Sequence, residues 1–304
     1  MAESDQEPLI NDNPSLQSYY CSLESRIGYR LFLGGTRHFG YYETDTWWPF
    51  PIGKALRAME DHLSQSLALE AGAEVLDAGC GVGHVAIHLA RKGLRIQAID
   101  VVDHHLVKAR RNVKAAGLDN AVTVRKGDYH HLEHFPSECV DGVYTMETFV
   151  HATDPAAALG EFFRVLKPGG SIALYEYDHR QREAALQAAS EKLVTTLESI
   201  NKYAAMPANT LFDQGVLPAM MEEAGFTDVK VTDLSVHVRP MLRLFFICAY
   251  LPYIFIKFFG LERWFINTVA GVEAYRGSHI WRYVAVTAKK PSTTDRPREA
   301  KKVQ

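Results

Sequence analysis

Apolar residues follow two alternating rhythms along the chain. Continuous runs at 75–77, 95–100, 122–125, 140–145 and 171–177 read as buried strands. Between them, 85–92, 103–116 and 155–166 place apolar residues at helical intervals, Gly117 closing the second and Asp154 capping the third. Strand and helix in alternation mean a parallel sheet covered on both faces, an α/β core over about 71–178. Further on, 181–203 and 216–224 read as helices, and 227–234 and 281–288 as the last two strands.

Two segments lie outside this rhythm. Ahead of the core, Tyr19, Tyr20, Leu23, Ile27 and Leu31 fall at helical intervals and predict one helix over 15–33, broken by Gly34 and Gly35. Residues 36–51 crowd His38, Phe39, Tyr41, Tyr42, Trp47, Trp48 and Phe50 into one loop. Such density suits a lid over a hydrophobic ligand, with Tyr41 and Trp47 as candidate contacts, or rings that dock the N-terminal helices. A helix over 52–69 enters after Pro51. Within 238–275, the stretch 244–256 runs 13 residues without a charge, bracketed by Arg243 and Lys257 and broken by Pro252. That length is too short to cross a bilayer. A core helix, a pocket lid and a segment lying in a membrane interface stay open, with a water-excluding lid over a greasy substrate leading. The chain thus divides into a polar terminus at 1–14, N-terminal helices and aromatic lid at 15–70, a core at 71–290 carrying the insertion 238–275, and a tail at 291–304. Both ends read as disordered.

At 304 residues there is room for one large domain with a cap. A net charge of −3 gives no basic face for a nucleic acid. The four cysteines show no paired or metal-ligand spacing, which suits free thiols in a reducing compartment. Residues 1–13 have neither a basic start nor an apolar core, so no secretory signal is expected. The cytoplasm follows, with peripheral contact on an internal membrane through 244–256 as a second placement.

The chemistry concentrates at 75–84, Val-Leu-Asp-Ala-Gly-Cys-Gly-Val-Gly-His. Gly79, Gly81 and Gly83 let the backbone bend sharply and approach a ligand. The helix that follows offers unpaired N–H groups beside them. Dinucleotide sites want Gly-x-Gly-x-x-Gly, whereas here His84 stands where the last glycine would be. Asp77 would repel a pyrophosphate but suits a cation with an amino group. Asp100, some 20 residues past the turn, can accept both hydroxyls of a ribose. The turn resembles the S-adenosylmethionine (SAM) loop of class I methyltransferases. That resemblance implies a Rossmann-like, seven-stranded, mostly parallel sheet whose final strand inserts antiparallel. It also implies that Asp128 bonds the adenine amino group, with Tyr129 flanking the ring and Thr145 on the cofactor side at the end of the fourth strand.

Residues 141–154, 162–170 and Tyr175-Glu-Tyr177 resemble the sterol C-methyltransferase group, and also fungal methyltransferases of polyketides and terpenoids. The sterol group has a Glu and a His where Glu147 and His151 stand, and a similar Tyr-Glu pair in its fifth strand. In place of its acidic, aromatic N-terminal stretch this chain has 25–35, which points to another lipophilic substrate. Methyl transfer is an in-line displacement that must align donor and acceptor and take up a proton. His151 is the candidate base, oriented by Glu147 four residues before it unless Glu147 faces the cofactor; a purely structural pair is the alternative. One of Tyr175 and Glu176 should face the substrate. His104, His105, His130, His131 and His134 lack convergent ligand spacing and read as solvated, with no metal. The expectation is a SAM-dependent methyltransferase of a hydrophobic small molecule, an oxygen acceptor leading over an alkene carbon whose cation aromatic faces would stabilise. From another class, a protein could hold SAM as a structural or electrostatic cofactor while promoting a rearrangement. A nicotinamide-dependent oxidoreductase is disfavoured by the glycine spacing.

Overall fold

The alternating runs assemble into one seven-stranded sheet in the computed structural model, which describes residues 13–180 and 191–292. Its strands are β1 (Glu74–Ala78), β2 (Arg95–Asp100), β3 (Val122–Lys126), β4 (Val140–Met146), β5 (Leu166–His179), β6 (Thr227–Asp233) and β7 (Trp281–Lys289). Their order is β3-β2-β1-β4-β5-β7-β6. β1 to β5 pair in parallel, while β7 inserts antiparallel to both β5 and β6. This is the sheet implied by the resemblance to class I methyltransferases. Val75, Leu76, Val143, Ile172 and Leu174 are fully buried, as strands covered on both faces require. The polar ends of the chain and the first part of the helix expected over 181–203 lie outside the described residues.

Strand order reverses at β1 and β4, so the C-terminal ends of β1, β2 and β4 splay around a crevice. Gly83, at φ +81°, caps the helix His84–Arg91 that leaves the crevice, and the Asp154 carboxylate caps Pro155–Val165 through Ala157 N–H.

Two expectations are corrected. The helix expected over 15–33 is two helices, Pro14–Cys21 and Leu23–Leu33. Ser22 stands extended between them and its hydroxyl accepts from Ser25 N–H, so a cap interrupts an otherwise continuous periodicity. The uncharged run 244–256 belongs to one 25-residue helix, Ser235–Phe259, with Pro240 and Pro252 inside it. At about 1.5 Å per residue that helix exceeds a bilayer core, so the length argument against spanning fails. Its packing is the better guide. Val238, Met241, Leu242, Tyr253 and Ile256 are buried in the protein, and the helix Ile266–Arg276 runs beside it. Leu16, Tyr19 and Tyr20 join Tyr253, Ile256, Ile266 and Val269 in one apolar cluster, so the N-terminal helices and the insertion together cap the crevice.

Candidate active site

The crevice holds two adjoining cavities. One lies at the ends of β1, β2 and β4 and is lined by Asp77, Gly79, Gly81, Asp100, Asp128, Tyr129, Thr148 and His151. The glycine turn forms its floor. Gly79 has φ +104°, and a Cβ there would lie 2.6 Å from Thr148 Oγ1, so both backbone conformation and space demand glycine.

Asp77 is 3% exposed, and its Oδ2 has no hydrogen-bond partner. Burial pushes its carboxyl up to about 7, only partly offset by Tyr144. A buried carboxylate oxygen without a donor, facing a cavity, is a socket for a cationic group. Asp100 Oδ2 accepts from Gly81 N–H at 2.8 Å and Oδ1 from Val102 N–H at 2.8 Å, while His105 Nδ1 lies 3.3 Å from Oδ2. Burial opposes its charge, but His105 and the two N–H donors outweigh it and hold the carboxyl below its usual range. Asp128 Oδ1 accepts from His130 N–H at 2.9 Å and faces its Nδ1 at 2.5 Å, and the Tyr129 hydroxyl donates to Thr148 O. An orphaned anion, a carboxylate at the tip of β2 and an acid beside an aromatic ring fit the amino group, ribose and adenine of SAM.

The second cavity, about 420 Å³, is walled by Tyr19, Tyr29, Phe39, Tyr177, Leu242, Phe245 and Trp281. Asn201 and Asn209 supply a polar end, where Asn209 Oδ1 is buried without a partner. Arg37, His38 and Glu147 line both cavities and form their junction. Arg37 lies over the rings of Tyr20 and Tyr29 at 4.5 and 4.8 Å, with Nε and Nη1 buried and unpartnered. Glu147, at φ +56°, accepts from Phe39 N–H at 2.6 Å and from the Tyr177 hydroxyl. Burial raises its carboxyl above the usual range, against the Tyr177 bond.

Several expected site residues sit elsewhere. His151 and Glu147 make no pair: the 3₁₀ turn Phe149–His151 begins only after Glu147 has turned left-handed. His151 donates from Nδ1 to Ala205 O at 2.7 Å, and its Nε2 faces the Tyr20 hydroxyl at 3.0 Å. It borders the first cavity but not the apolar one. Burial lowers its pKa to about 4, so the ring is neutral. Thr145 and Glu176 bond each other, and the same Glu176 oxygen takes Thr148 and Phe149 N–H, bracing the turn from behind rather than facing a ligand. Burial pushes Glu176 up to about 8. The Tyr175 hydroxyl is held by His62 and Ser66; the residues of β5 that line the apolar cavity are Tyr177 and His179. Tyr41 stacks between His62 and His237, and Trp47 is 71% exposed under Arg243, so neither touches the cavity. Of the aromatic loop, His38 and Phe39 reach it. His105, expected to be solvated, is 2% exposed against Asp100. Sequence reasoning missed Arg37 and Tyr29, since a single arginine beside aromatic residues carries no spacing signal.

Residues 76–174 match the family described as a methyltransferase domain. A protein of Talaromyces variabilis described as an S-adenosyl-L-methionine-dependent Diels-Alderase is 43% identical, over 91% of this chain and 95% of its own. A sterol 24-C-methyltransferase of Eremothecium gossypii is 32% identical over 58% of this chain and 46% of its own. Among solved structures, the cyclase SpnF superposes with a TM-score of 0.72 at 22% identity, covering 95% of this chain and 100% of that one, a likeness of fold.

Proposed function

Because the chain belongs to the class I SAM-dependent methyltransferase family, we propose that it promotes a pericyclic 4+2 ring closure of a hydrophobic polyene, keeping the methyl group on its cofactor. Its cofactor is SAM. The methionine end would be held by Asp77 and the glycine turn, the ribose by Asp100, and the adenine by Asp128 and Tyr129. When bound, SAM supplies a fixed sulfonium charge beside the apolar cavity as well as a transferable methyl.

One observation carries this reading. Among the described residues lining the apolar cavity, each carboxylate and imidazole already has a neighbour of its own: Glu24 takes Asn267 and Thr268, Glu147 takes Phe39 and Tyr177, His38 faces Glu60 at 3.2 Å, and His179 lies at ion-pair distance, 3.8 Å, from Asp213. Arg37 keeps two donors free. A site with a free donor and no free base suits a reaction that moves no proton. In such a ring closure a diene and an alkene exchange two π bonds for two σ bonds, with no leaving group. Aromatic walls fold the polyene into a reactive shape, supplying catalysis by proximity. Arg37 donates to a carbonyl conjugated with the alkene, drawing electron density from it as the bonds form. The 43% identity to a Diels-Alderase over nearly the full chain supports the same reading.

Methyl transfer is the competing reading, favoured by Glu147, a carboxylate of raised pKa at the junction. Incubation with SAM and linear polyenes extracted from a producing cell separates the two. Ring closure gives a product of unchanged mass and no S-adenosylhomocysteine. A product one methylene heavier, with equimolar S-adenosylhomocysteine, would overturn the proposal.

A further inference from the structure

The side of the helix Ser235–Phe259 turned away from the core is a second apolar surface. Ile247, Leu251, Phe255 and Phe258 are 62, 65, 60 and 81% exposed, and their spacing puts them on one face. The 3₁₀ turn Glu262–Trp264 adds Trp264, 62% exposed. A contiguous apolar face of this kind marks an interaction site rather than ordinary surface. Its rim is basic. Exposed Arg239 stands before the uncharged stretch, beside Arg243, which is held by the Trp47 carbonyl at 2.7 Å, and Lys257 and Arg263 follow it, Arg263 lying 4.7 Å over the Trp264 ring. Glu262, the one acid along residues 235–264, pairs with Lys257 at 3.1 Å. This local excess of cations contrasts with a net charge of −3 for the whole chain.

We propose that this face docks the protein on an anionic lipid membrane, with the helix lying in the interfacial plane. Phe255 and Phe258 would enter the acyl boundary while Trp264 and the basic rim meet the headgroups. A second copy fits less well, because a twofold pairing of this face sets basic rim against basic rim. Crossing the bilayer fits less well too. The helix is long and apolar enough by length and composition. Its inner face, however, is committed to the protein, with the Tyr253 hydroxyl bonded to the buried Glu273 carboxylate and Leu242 and Phe245 walling the cavity. Cys248 and Pro252 are exposed and also line that cavity, so its outer rim lies on the helix that carries the docking face. A hydrophobic substrate dissolved in lipid would meet the cavity without crossing water. The docking itself is independent of which reaction the site performs.

The test is sedimentation of the full chain with vesicles of phosphatidylcholine alone or with one fifth phosphatidylserine, read together with tryptophan emission. The expected result is binding to the mixed vesicles with a blue shift, largely released by high salt or carbonate. The double variant F255E/F258E should bind at least tenfold more weakly while retaining SAM affinity, which confirms its fold. If that variant fails to fold, the wild-type fluorescence shift and its quenching by brominated lipid still decide the matter. No binding of wild type to either vesicle overturns the proposal. So does resistance to carbonate, which means a spanning helix, or a concentration-dependent dimer abolished by the double variant, which means a copy interface.

Discussion

Replacing Asp77 by Asn should make the ligand-free protein more stable and a poorer SAM binder at once. The carboxyl is buried, its Oδ2 has no donor, and burial pushes its pKa up to about 7 from the ordinary carboxylate value of 3.8. At 1.36 kcal/mol per unit, holding it in the ligand-free fold costs about 4 kcal/mol once the pH exceeds 7. The folded pKa lies above the unfolded one, so the native state binds the extra proton between about pH 4 and pH 7. Stability is therefore lost as pH rises through that window. Asn removes the titration and keeps the shape. Thermal unfolding without cofactor should show the variant above wild type at pH 8, with the gap narrowing at pH 5. SAM binding should fall by roughly tenfold to a hundredfold, the scale of a lost charge-assisted hydrogen bond. In wild type, calorimetry should also find affinity weakening by up to about tenfold per pH unit as pH drops below 7, because binding then first requires Asp77 to ionise. The variant should show no such slope. Unchanged SAM affinity, or an Asn variant less stable than wild type at pH 8, would refute the socket assignment.

Arg37→Met keeps the aliphatic stem and removes the free donors, so product formation should slow by roughly ten- to a hundredfold. Single-turnover assays at saturating SAM check this, and an unchanged rate removes Arg37 from the chemistry. His151→Ala should lower stability by about 1–3 kcal/mol, because Tyr20 and Ala205 O are left without a partner. At saturating SAM, where the Asp77 effect on cofactor affinity no longer shows, the wild-type rate should have no His-like acid limb between pH 5 and 8, given a pKa of about 4 for His151, and a limb near 6.5 under those conditions would restore the base assignment. Gly79→Ala should abolish detectable SAM binding in calorimetry, since its φ of +104° and the 2.6 Å approach to Thr148 both oppose a Cβ. An alanine variant that binds normally would mean the turn can shift aside.

Legibility in the sequence tracked how local each physical cause is. The glycine turn could be read because positive φ at Gly79, Gly81 and Gly83 is a backbone demand that only the residue type reveals. The sheet could be read because its strands, covered on both faces, appear as uninterrupted apolar runs. That same coverage hid which way β5 points its side chains. With no polar face to mark the alternation, nothing in Tyr175-Glu-Tyr177 tells that Glu176 braces the β4 turn while Tyr177 meets the cavity. The Glu147–His151 spacing misled for a related reason. Four residues share a face only inside a helix, and Glu147 sits left-handed before its 3₁₀ turn starts.

The long helix shows why counting uncharged residues fails as a measure of length. Arg239, Arg243 and Lys257 lie on the helix itself, and Pro240 and Pro252 are absorbed within it. A proline inside a helix costs a hydrogen bond and a steric clash, together about 3 kcal/mol. Here tertiary packing offsets that cost: Pro240 and Met241 are buried at the first proline, and Tyr253 and Ile256 at the second. Charges and prolines therefore marked faces of this helix rather than its ends. The same logic accounts for Arg37 and Glu147. They line the same junction only because the two N-terminal helices, the insertion and β4 converge on one crevice, an arrangement that no local pattern in the chain encodes.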